Sequence, residues 1–142
     1  MRIVVLDTNV IVSARVSRTG TPAKLLDNWI LAGKVQTLTS PAIIREYREV
    51  TSRPKFTRYG FPPPWLDFLI DESLKLEDLP TWPHQLPDPD DLPFIVLAHR
   101  AGAWLVTGNL KHYPASARNG VAVISPADYL AHLTSSERPA LK

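Results

Sequence analysis

Oxygen-bearing side chains of this chain lie where apolar segments end. Asp7 directly follows a short aliphatic run at residues 3–6, and Asn109 follows a second apolar run at residues 103–107. In parallel α/β sheets, ligands bind beyond the carboxyl ends of the strands, so both side chains are expected to face one crevice. Asp7 also has a simpler alternative role, because Asp7 or Thr8 could cap the next helix.

Glu46 lies on a helix that is predicted to start at Ser40-Pro41. At 3.6 residues per turn it stands about 40° from Val50, at the edge of the apolar arc of that helix. A side chain at this position can lean from the border of the core into a pocket. An ordinary boundary glutamate is the alternative interpretation.

Three carboxylates occupy four residues at the start of another predicted helix, namely Asp88, Asp90 and Asp91. One of them can cap the helix and favour its dipole, but three exceed that need and repel one another unless a cation is present. Carboxylate and amide oxygens suit Mg²⁺ and Mn²⁺. The residues with suitable ligand atoms for one or two such ions are Asp7, Glu46, Asp91 and Asn109.

Composition excludes several classes of function. The 142 residues, 44% hydrophobic and 21% charged, fit one globular domain with an ordinary core. The chain has no cysteine, which excludes disulfides, thiolate zinc sites and cysteine nucleophiles. Its four histidines lack metal-ligand spacing, and no Gly-rich phosphate loop is present. Without a signal peptide or a span of roughly 20 apolar residues, a cytoplasmic protein is expected.

Charge is unevenly distributed although the net charge is only +2. Residues 1–60 hold ten Lys or Arg against four Asp or Glu, whereas residues 61–91 hold one Lys against eight acids. A basic segment beside an acidic one favours a polyanion-binding surface next to a cation site. Solvated helix faces that carry such runs by chance are an equally good explanation of the charge alone.

Strand-like and helix-like segments alternate along the chain. Strands are predicted at residues 3–6, 35–39, 103–107 and 121–124, and helices at residues 22–32, 41–50, 62–74, 92–101 and 126–133. This alternation predicts an α/β fold with a parallel sheet and helices on both faces. One domain is expected over residues 1–133, followed by a frayed, disordered polar tail at residues 134–142.

In chain order, these motifs resemble the PIN-domain family, and in particular its bacterial toxins of the VapC type. The matching segments are VLDTNV at 5–10, SP at 40–41 with Glu46, RPKF at 53–56, DPDD at 88–91 followed by Phe94, LVTGN at 105–109 and ISPA at 124–127. They run in family order over residues 3–133, nearly the whole chain.

The resemblance implies a three-layer α/β/α fold with a central, mostly parallel sheet of four to five strands. It also implies a ribonuclease that depends on Mg²⁺ or Mn²⁺ and leaves 5′-phosphate and 3′-hydroxyl ends. By this resemblance the catalytic, metal-holding acids are Asp7, Glu46 and Asp91, with Asp88 and Asp90 as helpers. Asn109 stands where many members carry aspartate, which leaves open whether one or two metal ions bind. The groups expected to orient the carboxylates are Thr8, Asn9 and Thr107.

RNA is expected to be held mainly through its phosphates. The candidate strip of basic residues is Arg45, Arg48, Arg53, Lys55 and Arg58, interleaved with aromatic side chains that can stack on unpaired bases. A toxin of this kind is further expected to bind a small antitoxin protein and to form a homodimer or higher homo-oligomer.

Three alternatives remain open. A phosphotransfer enzyme of the haloacid-dehalogenase kind would use Asp7 as its nucleophile, but Asn9 stands where that family has its acid. A receiver-like signalling domain could use Thr107 as its switch, but the second strand ends without an aspartate. A catalytically weakened PIN fold that only binds RNA is conceivable because of Asn109. His112, which follows Asn109 closely in sequence, could contact the leaving group, although a role in the loop alone is favoured.

Overall fold

The computed structural model describes residues 2–79 and 81–137. Its strands are β1 (Ile3–Leu6), β2 (Gln36–Thr39), β3 (Leu74–Lys75), β4 (Trp104–Val106) and β5 (Val123–Ile124). Its α-helices are α1 (Thr8–Val16), α2 (Thr21–Leu25, continued by a π-helical segment at Leu26–Ile30), α3 (Pro41–Thr51), α4 (Trp65–Glu72), α5 (Leu92–Ala101) and α6 (Pro126–Glu137). Short 3₁₀ helices lie at Pro54–Tyr59, Pro89–Asp91, Leu110–His112 and Ala115–Ala117.

The five strands form one parallel sheet in the order β3-β2-β1-β4-β5. Strands β1 and β4 lie at its centre, and β1 is buried after its first residue. Helix α5 packs on this central pair with Phe94 and Ile95 fully buried. The predicted α/β class and the predicted sheet of four to five strands are confirmed.

The direction in which the chain crosses the sheet reverses between β1 and β4, because β2 and β3 lie on one side of β1 and β4 and β5 on the other. Ligands bind at such a switch point, beyond the carboxyl ends of the two strands. Leu6 pairs with Val106 in register, and the backbone N–H of Asp7 donates to the carbonyl of Val106 at 2.9 Å. The residues that follow β1 and β4, including Asp7 and Thr107, are therefore neighbours.

Helix α1 was not among the predicted elements. Residues 3–12 are apolar except for Asp7, Thr8 and Asn9, and periodicity cannot separate a buried strand from a buried helix in such short apolar runs. The boundary lies at Asp7. Its backbone is extended, and its side chain caps α1 by accepting from the N–H of Thr8 at 2.8 Å. Site and cap were alternatives for this residue, and its position at the switch point allows both.

Two predicted boundaries were wrong. Leu74 does not end a helix: α4 stops at Glu72, and Leu74 starts the short edge strand β3, where the N–H of Leu76 donates to the carbonyl of Thr39 at 2.9 Å. Residues 134–137, assigned to the tail, continue α6. The hydroxyls of Thr134 and Ser136 donate back to carbonyls one turn earlier, so polar residues remain helical there. The rest of the predicted tail lies outside the described residues.

None of the helices within residues 2–79 and 81–137 combines the length and the apolar character that crossing a bilayer requires.

Candidate active site

Asp7 is almost completely buried, with 3% of its surface exposed, at the junction of β1 and α1. Its Oδ1 accepts from the N–H of Thr8 at 2.8 Å. Its Oδ2 accepts from the hydroxyl of Thr107 at 3.0 Å and from that of Tyr113 at 2.9 Å. Burial raises the pKa of Asp7 above its usual value, and these three donors lower it again in part. A carboxylate held on three sides in this way is fixed in position for a ligand.

Tyr113 is a site residue that sequence reasoning missed. It is fully buried although it follows a surface 3₁₀ turn, and burial together with the charge of Asp7 raises its pKa well above the usual range. Its hydroxyl therefore stays protonated and can only donate to the carboxylate of Asp7. No local pattern marks this role, because 106 residues separate the two partners.

Glu46 reaches the same place from α3. The hydroxyl of Thr8 donates to its Oε2, which links the first turn of α1 to the second turn of α3. Burial raises the pKa of Glu46, as do the charges of Asp7, Asp90 and Asp88, while the hydrogen bond from Thr8 lowers it. Glu46 therefore lies within electrostatic reach of the other predicted acids.

Asp91 completes the set at the start of α5. The Nδ1 atom of His112 lies 2.8 Å from its Oδ2, but without hydrogen-bond geometry, so this buried oxygen has no hydrogen-bond partner among the described residues. Burial and the charge of Asp7 raise the pKa of Asp91 to about 7, against a lowering contribution from His112. A buried carboxylate oxygen without a donor is costly unless a ligand completes it.

The other two acids of the 88–91 segment have different positions. Asp88 caps the 3₁₀ turn by accepting from the N–H of Asp90 at 2.9 Å, and Asp90 is exposed. Both act on Glu46 through their charge. In the described ranges, no three His, Asp or Glu side chains already stand in positions that could hold a metal ion.

A polar network behind Asp7 joins the ends of β1 and β4. Asn9 donates to the hydroxyl oxygen of Thr107 at 3.2 Å, and its Oδ1 accepts from the N–H of Gly108 at 2.8 Å. The N–H of Asn109 also donates to Thr107, at 3.0 Å. Thr107 therefore accepts twice and donates once, to Asp7, which fixes the direction of its hydroxyl. Asn109 itself is half-buried beside this network.

A family model described as PIN domain matches residues 3–111. The chain belongs to the PIN-domain family. The uncharacterized protein MJ1680 of Methanocaldococcus jannaschii is 34% identical to it over 109 residues, which cover 75% of this chain and 70% of that protein. This membership sets aside the two phosphotransfer alternatives and supports a nuclease, a hydrolase class that generally uses divalent metals.

Two solved structures share the fold of this PIN domain. VapBC2 from Rickettsia felis, bound to a DNA fragment from its promoter, aligns with a TM-score of 0.58 at 17% identity over 87% of this chain and 98% of that chain. PAE2754 from Pyrobaculum aerophilum aligns with a TM-score of 0.58 at 17% identity over 93% of this chain and 89% of that chain. At this level of identity the likeness concerns the fold alone.

The predicted basic strip of the PIN domain is distributed over two elements. Arg45, Arg48 and Arg53 are exposed on α3 or just after it, whereas Lys55 and Arg58 lie on the following 3₁₀ helix. Arg48 is paired with Asp67 at 2.9 Å, and Arg53 with Glu49 at 2.8 Å. Phosphate binding by these two arginines would compete with exposed ion pairs, which are weak.

Replacing Tyr113 with phenylalanine is expected to shift the acid limb of the pH–activity profile to higher pH. The hydroxyl of Tyr113 lowers the pKa of Asp7, so its removal leaves Asp7 protonated over a wider range. The lost bond to a charged acceptor should also lower the free energy of unfolding by about 1.5–3 kcal/mol. Tyr47→Phe is the matched control, because its equally buried hydroxyl donates to the carbonyl of Leu6. It should lose stability without moving the profile; a profile that moves equally in both variants would argue for a merely structural role.

Proposed function

We propose that this PIN domain is a divalent-metal-dependent endoribonuclease in which Asp7, Glu46 and Asp91 hold Mg²⁺ or Mn²⁺. One observation carries the proposal: burial raises the pKa of each of these carboxylates, and the charge of Asp7 raises the pKa of both Glu46 and Asp91, although the three come from distant parts of the chain. Burial of mutually repelling carboxylates is typical of functional sites rather than of stable cores.

The donor set fits a hard divalent cation. All the candidate ligand atoms are oxygens, and the buried Oδ2 of Asp91 accepts no hydrogen bond of good geometry, with His112 Nδ1 at 2.8 Å as its charge partner, so a cation would complete its contacts. Glu46 is only partly buried and can move toward an ion, as can Asp88 and Asp90. Asn109 adds a neutral amide oxygen, so the site has one negative charge fewer to attract the cation than it would have with an aspartate there.

A divalent cation at this position would polarise the scissile phosphate and activate the attacking water. The protein's own groups hold its ligands: Thr107 and Tyr113 orient Asp7, and Thr8 orients Glu46. Asn9 keeps the Thr107 hydroxyl directed at Asp7 through the network described above. The expected products carry 5′-phosphate and 3′-hydroxyl ends.

RNA is the proposed substrate because exposed basic residues lie on and just after α3, the helix that carries Glu46. Arg45 is next to Glu46 in sequence, and Lys55 and Arg58 lie on the following 3₁₀ helix. The shared fold with VapBC2 supports a further proposal, that the domain is the toxin of a toxin–antitoxin pair. A small antitoxin protein that covers the acidic crevice, self-association as a dimer or higher oligomer, and a cytoplasmic location all belong to this proposal.

Cleavage of structured RNAs by the purified protein tests the proposal. With Mn²⁺ or Mg²⁺ present, cleavage should be faster than in a chelator by at least about 100-fold, since metal catalysis contributes several kcal/mol. End-labelling should detect 5′-phosphates on the products. RNA binding without cleavage under any metal condition would favour the weakened, binding-only PIN fold instead. Cleavage that survives the chelator would contradict the metal dependence.

A further inference from the structure

Three arginines surround one pocket outside the acidic crevice. The pocket has a volume of about 360 Å³ and is lined by Arg15, Val16, Arg18, Arg58, Tyr59 and Gly60. Arg15 and Arg18 come from the end of α1 and the loop after it, whereas the other arginine comes from the 3₁₀ helix Pro54–Tyr59. Sequence alone gives no reason to connect these two segments.

Tyr59 holds two of the three arginine side chains, those of Arg15 and Arg58, in place. The Nε–H of Arg15 donates to the carbonyl of Tyr59 at 2.9 Å, which leaves its terminal N–H groups to face the pocket. Arg58 lies over the ring of Tyr59, 4.7 Å from the centroid, and donates to its hydroxyl. Gly60 has φ +75°, a conformation that favours glycine, and Arg15 Nη2 lies 2.5 Å from the position that a Cβ would take there.

The three positive charges are not neutralised by the protein. Arg15, Arg18 and Arg58 make no ion pair with any carboxylate in the described ranges, in contrast to Arg48 and Arg53. One cation near the last turn of α1 would complement the negative end of that helix, but three exceed this need. Guanidinium groups that converge without a counter-charge match an oxyanion such as a phosphate, which they bind through paired N–H groups.

We propose that this pocket, the arginine pocket, binds a backbone phosphate of the RNA strand that is cut at Asp7; this inference rests on the proposed function. Helix α1 joins the two places directly, because its N-cap is Asp7 and its last turn carries Arg15. Eight residues at 1.5 Å each put the backbone of Arg15 about 12 Å along the helix from Asp7. That distance corresponds to about three to four nucleotides of a stacked strand at 3.4 Å each, and fewer if the strand is extended.

The binding of a single-stranded oligoribonucleotide as a function of NaCl concentration tests this site. The measurement uses the cleavage-deficient Asp7→Asn protein, so binding is read without turnover. Adding Arg18→Gln and Arg58→Gln should lower the slope of log affinity against log salt by about 0.7, the change expected for the loss of one phosphate contact. Both residues are exposed, and the structural bond of Arg15 to Tyr59 is left intact.

Lys24→Gln with Lys34→Gln is the matched control. It removes the same charge from two exposed positions. Lys24 lies on α2, and Lys34 lies just before β2, at the amino end of that strand and away from the crevice. Its salt slope should equal that of the parent. An unchanged slope in the arginine variant, or an equal fall in the control, would overturn the arginine pocket as an RNA site.

Two further measurements separate this inference from the proposed function and from a protein ligand. In the cleaving background, Arg18→Gln should raise KM for a long substrate without lowering kcat, and should have no effect on a substrate too short to reach the pocket. If the unmodified protein shows no metal-dependent cleavage, the proposed function is contradicted, whatever the salt slope shows. A decaglutamate peptide that competes with the oligonucleotide as well as unlabelled RNA does would assign the pocket to an acidic protein segment.

Discussion

Replacing Asp7 with asparagine is expected to lower metal-dependent RNA cleavage by at least about 100-fold while the protein stays folded. The substitution removes one negative charge from the proposed metal site. It keeps the cap of α1, because asparagine serves as an N-cap about as well as aspartate. With the amide oxygen at the cap, the hydroxyl of Tyr113 can turn to accept from the amide N–H, whereas Thr107, which already accepts twice, loses its bond to residue 7. The buried network therefore loses one hydrogen bond.

Circular dichroism, urea unfolding and the cleavage rate should be measured on the same preparation. Since burial raises the pKa of Asp7, its charged form is disfavoured in the folded protein, and a neutral asparagine should unfold at the same or a higher urea concentration at pH 8. Asp27→Asn is the control: it removes the same charge from an exposed position and should cleave like the unmodified protein. A folded Asp7→Asn variant that keeps more than a tenth of the activity would contradict the proposed metal site.

Those parts of the fold that depend on local signals were predictable from the sequence. Ser40 caps α3 by accepting from the N–H of Ile43 at 3.4 Å, and Pro41 occupies the first turn of that helix. Gly102 ends α5 with φ +63°, a conformation that favours glycine. The buried runs that became β1 and β4 predicted a parallel sheet, and a parallel sheet places strand ends at one edge. The position of Asp7 beside Thr107 follows from these steps.

The remainder of the site depends on contacts between distant segments. His112 ends the short 3₁₀ helix Leu110–His112 and Tyr113 follows it. No hydrophobic period predicts burial there, yet Tyr113 contacts Asp7 and His112 contacts Asp91. Arg15 and Arg58 belong to segments that look like ordinary solvated surface until α1 and the 3₁₀ helix pack together. Each of these contacts requires the sheet order and the path of the connecting loops, which local patterns do not specify.

Replacing Asp91 with asparagine is expected to reduce the loss of stability that alkaline pH causes in metal-free protein. Because the folded-state pKa of Asp91 is about 7, against 3.8 as the ordinary value, the folded protein keeps a proton that the unfolded chain has already released between these two values. Stability must therefore fall as pH rises from about 4 through 7. Asp7 and Glu46 contribute in the same direction.

The asparagine variant lacks this titration, so its free energy of unfolding should change less with pH. At pH 8 it should exceed that of the unmodified protein by on the order of 4 kcal/mol, since the pKa of Asp91 rises from 3.8 to about 7 and each pKa unit corresponds to about 1.36 kcal/mol. Urea unfolding in a chelator at pH 5 and pH 8 measures both quantities. Asp71→Asn, at an exposed position on α4, is the control, and it should follow the unmodified protein at both pH values.

Adding Mn²⁺ at pH 8 distinguishes a metal site from a buried carboxylate that only destabilises the folded protein. An ion bound only by the folded protein stabilises it by mass action. The unmodified protein should therefore recover most of the stability it lost above pH 5, because the ion offsets the buried negative charge of Asp91 and its neighbours. The Asp91→Asn variant should gain much less, since it has one charged ligand fewer. Equal stabilisation of the two proteins by Mn²⁺ would mean that the ion binds elsewhere, and Asp91 would then have no part in holding it.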